Sequence, residues 1–173
     1  MKKQFKYGRT ALIVIAVALI FLISYLIIAS VWKKNEHRYA PDITGVTADG
    51  KTLYSLSDNL DSTATLLVFF DHKTDKAVEV LQLISTVAPD YDVDVMAIAT
   101  GEGTIEEQIK ILKEKEITVF PHTLFDLDGE MAKAYNVTET PVTYFIDKTG
   151  RINDAYIASI SEKSLRKELS AID

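Results

Sequence analysis

Histidine and cysteine are the side chains best suited to acid–base, metal or nucleophilic chemistry near neutral pH. This chain of 173 residues has three histidines, His37, His72 and His122, and no cysteine. The missing thiols exclude a disulfide framework, a thiolate nucleophile, Cys-ligated zinc or iron–sulfur clusters, and lipid attached through cysteine. No two histidines have the close spacing of an HExxH helix. His72, beside Asp71, could converge with His122 on a metal in a cleft, but the expectation is hydrogen-bonded or solvated imidazoles and no metal. Asp90-Tyr91-Asp92-Val93-Asp94 has the carboxylate spacing of a calcium loop but lacks its central glycine and closing glutamate, so it reads as an exposed turn running into a strand. Asp126-Leu127-Asp128-Gly129-Glu130 reads as a turn before a helix. No serine sits in a Gly-x-Ser-x-Gly elbow, and no glycine loop is built to hold phosphate. No cofactor is expected.

The elements that would position these groups follow from hydrophobic periodicity. Val46 to Leu56 contains Asp49-Gly50, a hairpin turn between two short extended runs. Ala64 to Phe70 (ATLLVFF) is a continuous apolar run, as in a strand buried on both faces. Between Asp71 and Ala88 the period changes: Ala77, Val80, Leu81, Ile84 and Val87 mark one helix face, with Asp71, Thr74 and Asp75 as start signals and Pro89 as the stop. Val93 to Thr100 is a second strand. Thr104 and Glu107 form a capping-box pattern opening a helix to about Glu116, with Ile105, Ile109 and Leu112 inward. Its Glu and Lys residues read as a solvated face, with Glu106 and Lys110 as an i,i+4 pair. An extended piece at His122–Phe125, a short helix at Glu130–Tyr135, a hairpin of Val142–Asp147 with Arg151–Ala158, and a helix at Glu162–Ile172 complete the order. Alternating strands and helices predict an α/β fold with a central sheet covered on both faces.

Charge divides the chain. Residues 1–40 carry seven basic side chains and one acidic, whereas residues 41–173 carry 12 basic and 24 acidic. So acidic a domain repels phosphate, and no nucleic-acid partner is expected. Ala11 to Trp32 is 22 residues without charge, proline or glycine, long enough for a helix to cross a hydrocarbon core of roughly 30 Å. It is longer than the apolar region of a cleaved signal peptide, so the expectation is a single-pass signal anchor. Lys2, Lys3, Lys6 and Arg9 precede it; Lys33, Lys34 and Arg38 follow. The balance places residues 1–10 in the cytoplasm and residues 43–173 outside the plasma membrane, joined by a linker over 33–42.

The run from Tyr135 to Ile152, YNVTETPVTYFIDKTGRI, resembles the Y-x-V-x-x-x-P-x-x-F-x-I-D-x-x-G pattern of the thioredoxin-like superfamily. Phe120-Pro121 with Phe125-Asp126-Leu127-Asp128-Gly129, and the order anchor, linker, hairpin, strand, helix, are similar to its membrane-anchored TlpA/ResA-type, redoxin branch. The resemblance covers nearly all of residues 41–173. It implies a three-layer α/β/α thioredoxin-like fold with an N-terminal β-hairpin, preceded by a single transmembrane helix. It also implies a cis Thr140–Pro141 bond.

That family's W-C-x-x-C motif should open the first helix, and here Thr74-Asp75-Lys76-Ala77 stand in its place. Thiol–disulfide exchange needs an attacking thiolate and a resolving sulfur. A threonine hydroxyl and an alanine supply neither. What the resemblance leaves is recognition: the residue before the cis-proline offers its backbone to an extended peptide. The expected binding residues are therefore Thr140 and Pro141, with a rim of His72, Lys73 and Thr74. The partner would be an extracytoplasmic polypeptide, with the bilayer engaged through residues 11–32. The reading from another class is an enzyme working with a partner's cysteines or with a metal on His72 and His122.

Overall fold

The computed structural model describes residues 14, 15, 17–26 and 39–173. The chain divides into two units, Met1–Arg38 and Tyr39–Asp173. In the first, residues 14, 15 and 17–26 are helical. Among the described residues no helix is long and apolar enough to cross a membrane. The rest of the expected 11–32 span, the 1–10 tail, His37 and most of the linker lie outside the described residues.

The second unit holds two sheets. β1 (Thr44–Val46) and β2 (Leu53–Ser55) form an antiparallel hairpin. The Asp49 carboxylate closes its loop, accepting from Thr47 Oγ1, Lys51 N, Thr52 N and Thr52 Oγ1 at 2.6–2.9 Å. The main sheet has the order β5-β4-β3-β6-β7, with β3 Ala64–Phe70, β4 Val93–Ala99, β5 His122–Phe125, β6 Val142–Ile146 and β7 Ile152–Ile157. β3, β4 and β5 run parallel, and β6 and β7 are antiparallel additions on the other side. α1 (Asp75–Val87) links β3 to β4, α2 (Ile105–Glu114) links β4 to β5, α3 (Glu130–Ala134) leads to β6, and α4 (Glu162–Ile172) ends the chain.

All seven residues of β3 are buried, because alternate side chains enter two cores. Leu66, Val68 and Phe70 meet Ala77, Leu81 and Ile84 of α1, Leu112 of α2 and Leu165 and Leu169 of α4. Leu67 and Phe69 meet Ile43, Leu56, Leu124 and Tyr135 on the opposite face. The expected cover on both faces is present but unequal. The long helices share one face, while the hairpin, a 3-10 turn at Leu56–Asp58 and α3 cover the other. A fully buried Leu or Phe contributes about 1.5–3 kcal/mol, so these two cores dominate the stability.

The 135–152 run has local physical reasons. Tyr135 packs against Phe69 with ring centroids 5.2 Å apart and donates to the Pro41 carbonyl at 2.8 Å. Asp147 Oδ1 accepts from Thr149 N, Thr149 Oγ1 and Arg151 N, and Gly150 takes the left-handed φ of 79° that closes the β6–β7 turn. Ala40 N donates to the Gly150 carbonyl at 2.8 Å, so the end of the expected linker is tied to the sheet.

Candidate functional site

β3 ends at Phe70, and its register with β6 pairs Phe69 with Val142. Continuing that antiparallel register sets Asp71 beside Thr140. The chain then turns sharply. Thr74 N and Thr74 Oγ1 both donate to the Asp71 carbonyl, at 3.1 and 3.0 Å, and Lys73 N donates to Asp71 Oδ1 at 2.8 Å. α1 therefore starts at Asp75 with Thr74 as its N-cap, four residues later than the first start signal, because Asp71 spends its carboxylate on the turn. At the four positions that would carry the redox motif, Ala77 is fully buried, Asp75 and Lys76 are exposed and Thr74 is half-buried. A carboxylate, Asp75, occupies the first turn, where the helix dipole favours negative charge.

Facing this turn is the 138–140 segment. The Thr140–Pro141 bond is cis, as the resemblance implied. Among the described residues, no hydrogen bond uses the backbone of Thr138, Glu139 or Thr140, whereas the Pro141 carbonyl accepts from Ala158 N at 2.8 Å. Between the two segments lies a cleft of about 230 Å³ lined by Asp71, Thr100, Ala132, Val137, Thr138, Glu139 and Thr140.

Of the expected binding residues, Thr140 lines the cleft and Pro141 is buried next to it. His72 is not a rim residue. Its ring is 3% exposed and lies against Gly101, and its carbonyl accepts from Lys115 Nζ at 2.8 Å. Lys73 is exposed and reaches Glu102 at 3.2 Å, away from the cleft lining. Thr140 is the one lining residue that the sequence reading named; Asp71, Thr100, Ala132, Val137, Thr138 and Glu139 were missed. Glu139 is flanked by Thr138 and Thr140, so the proline motif itself could have indicated it.

Other readings of the sequence are also refined. The α2 face is not apolar throughout: Gln108 is fully buried there and donates from Nε2 to the Gly101 carbonyl at 2.8 Å. Glu106 and Lys110 do not pair, since Lys110 reaches Glu114 at 3.7 Å. Nor do His72 and His122 converge. His72 follows the C-terminal end of β3, which pairs with Ala99, while His122 pairs in register with Met96 in the middle of β4, roughly 10 Å back along the strands at about 3.3 Å per residue. His122 Nδ1 lies 2.7 Å from Asp94 Oδ1, and its ring stacks on Tyr54 at 3.6 Å. Tyr54 Oη and Asn59 Nδ2 donate to Asp94 Oδ2 at 3.0 and 2.6 Å. Asp94 thus lies in β4, within the strand expected from Val93, and its carboxylate belongs to a polar clasp for the hairpin. Among the described residues no three His, Asp or Glu side chains gather to hold a metal.

The AhpC/TSA family model matches residues 37–155. The chain belongs to the AhpC/TSA family. Solved structures show the same thioredoxin-like fold. The pneumococcal exposed lipoprotein thioredoxin Etrx1 of Streptococcus pneumoniae is 21% identical, with a TM-score of 0.66 over 76% of this chain and 99% of that one. A thiol:disulfide interchange protein, thioredoxin family protein, of Chlorobium tepidum is 19% identical, with a TM-score of 0.60 over 78% and 95%. StoA of Bacillus subtilis is 19% identical, with a TM-score of 0.59 over 75% and 96%. No curated protein matches significantly. With no cysteine anywhere, this chain cannot itself carry a thiol-based redox cycle.

Proposed function

We propose that this AhpC/TSA-family chain is a binding module and not a catalyst. It is tethered to the plasma membrane through residues 11–32, with its N-terminus in the cytoplasm and its domain outside. An extended segment of a partner polypeptide lies along Thr138–Thr140 above Pro141, adding its backbone to groups left free there, with the Asp71–Thr74 turn as the opposite wall. The unpaired backbone of residues 138–140 beside an open cleft carries this reading. Thr138 and Glu139 are exposed and Thr140 is half-buried, so water satisfies their backbone groups in the free protein and a ligand strand can take its place. The absence of a nucleophile explains why recognition outlives catalysis at this end of the sheet.

The experiment is photo-crosslinking with full-length chain in membranes, the reactive residue replacing Thr140 in one sample and the exposed Lys163 of α4 in another. The expected result is a discrete polypeptide adduct from position 140 that position 163 does not give. Equal adducts from both positions would refute the site. Insulin reduction tests the other half: the purified chain should show no turnover above reductant alone, and measurable turnover would refute a non-catalytic role.

A further inference from the structure

The cleft combines an unpaired backbone edge with two carboxylates, Asp71 and Glu139, and no basic side chain lines it. Of the cations on adjoining segments three are engaged elsewhere, and Lys76 in the first turn of α1 is exposed and outside the cleft lining. Lys73 pairs with Glu102 at 3.2 Å, Lys133 with Glu130 at 3.0 Å, and Lys115 donates to the His72 carbonyl. Among the described residues Glu139 has no ion-pair partner. The ring of His72 lies close to Asp71, its Nδ1 3.8 Å from Asp71 Oδ1. That nitrogen is buried and has no hydrogen-bond partner among the described residues, and at 3.8 Å it makes no hydrogen bond to the carboxylate. Asp71 Oδ1 holds the turn through Lys73 N, and the remaining oxygen has no hydrogen bond among the described residues. A domain with 24 acidic and 12 basic side chains adds a field of the same sign.

We infer that the cleft selects an extended peptide carrying a lysine or arginine, whose cationic head sits between Asp71 and Glu139 while its backbone pairs with residues 138–140. The inference rests on the peptide-binding role proposed above and adds the charge of the ligand. Backbone pairing supplies affinity common to all extended peptides, and the two carboxylates supply the discrimination, rewarding a cation and repelling an anion. Neither carboxylate is deeply buried, so each contributes an exposed-pair increment, a factor of about two to five in affinity.

Fluorescence anisotropy of the full chain in detergent tests this with three labelled alanine–threonine peptides that differ only in a central lysine, leucine or glutamate. The lysine peptide should bind about tenfold more tightly than the glutamate peptide, the preference shrinking between ~50 and ~500 mM salt. Asp71→Asn, which keeps an acceptor for Lys73 N, and Glu139→Gln should each reduce that preference about two- to fivefold. Glu106→Gln, the same charge change on the exposed face of α2, should leave it within about twofold. Equal binding of all three peptides, or an equal effect of Glu106→Gln, would overturn the charge assignment and leave peptide binding intact. Failure of all three to bind would overturn the binding role and this inference with it.

Discussion

Replacing Gly101 by alanine puts a methyl group into the space that the His72 ring fills. A Cβ built there overlaps His72 Cε1 and Nδ1 and meets Gln108 Oε1 at 3.4 Å. Gly101 is not among the glycines with left-handed φ, so alanine meets no backbone objection and the effect is steric. Overpacking a filled interior costs about 1–3 kcal/mol, against about 0.4–1 kcal/mol regained because alanine restricts the unfolded chain. The net expectation is a loss of about 1–2 kcal/mol. The Lys115 bond to its carbonyl and the Asp71 turn hold the His72 backbone on either side, so the ring can make room only by changing rotamer and leaving its buried site. Urea unfolding of the Gly101→Ala, His72→Ser and double variants forms a cycle in which the steric term should appear as a favourable coupling of about 1 kcal/mol or more. A Gly101→Ala variant as stable as the parent, or additive losses, would refute the packing that holds the Asp71 turn beside the cleft.

Alkaline titration should separate the tyrosines. Burial foremost, with Asp94 next, raises the Tyr54 hydroxyl well above its ordinary 10.0; burial foremost also raises Tyr135 and Tyr144. The fold favours their neutral forms, so this contribution is complete below about pH 10 and is lost as pH rises beyond it; a 295-nm titration should show part of the tyrosine signal appearing only above about pH 10, and a signal complete by that pH would contradict the burial. Thr74→Cys with Ala77→Cys restores two sulfurs one helical turn apart, a spacing a disulfide can bridge, and should gain insulin reduction; an inactive but folded variant would show that more than sulfur has been lost. Thr104→Ala removes the cap that accepts from Glu107 N at 3.2 Å, and should cost about 1 kcal/mol in urea unfolding; no change would contradict the capping box.

Sequence was most informative where the determinant is local. The uniform apolar run of β3 identified a central strand, and Thr104 with Glu107 located the start of α2. Thr138 to Pro141 stood out because the surrounding motif is dense with turn and core signals. Features made by distant pairs were not legible. His72 looks like a loop residue until Gly101 leaves room for its ring. Asp94 looks like one more acid in a turn until His122, Tyr54 and Asn59, drawn from β5, β2 and the turn after it, close on it. Asp71 read as a helix start because aspartate serves helix caps and tight turns equally well, and only the register with β6 shows that it faces Thr140.

Amide hydrogen exchange on the full chain, with and without the lysine-bearing peptide, tests the central claim most directly. Among the described residues the amides of Thr138, Glu139 and Thr140 have no partner, so they should exchange fast alone and be slowed when the peptide is bound. A bound peptide that leaves these three amides unprotected, or protects another edge such as β7 instead, would contradict it.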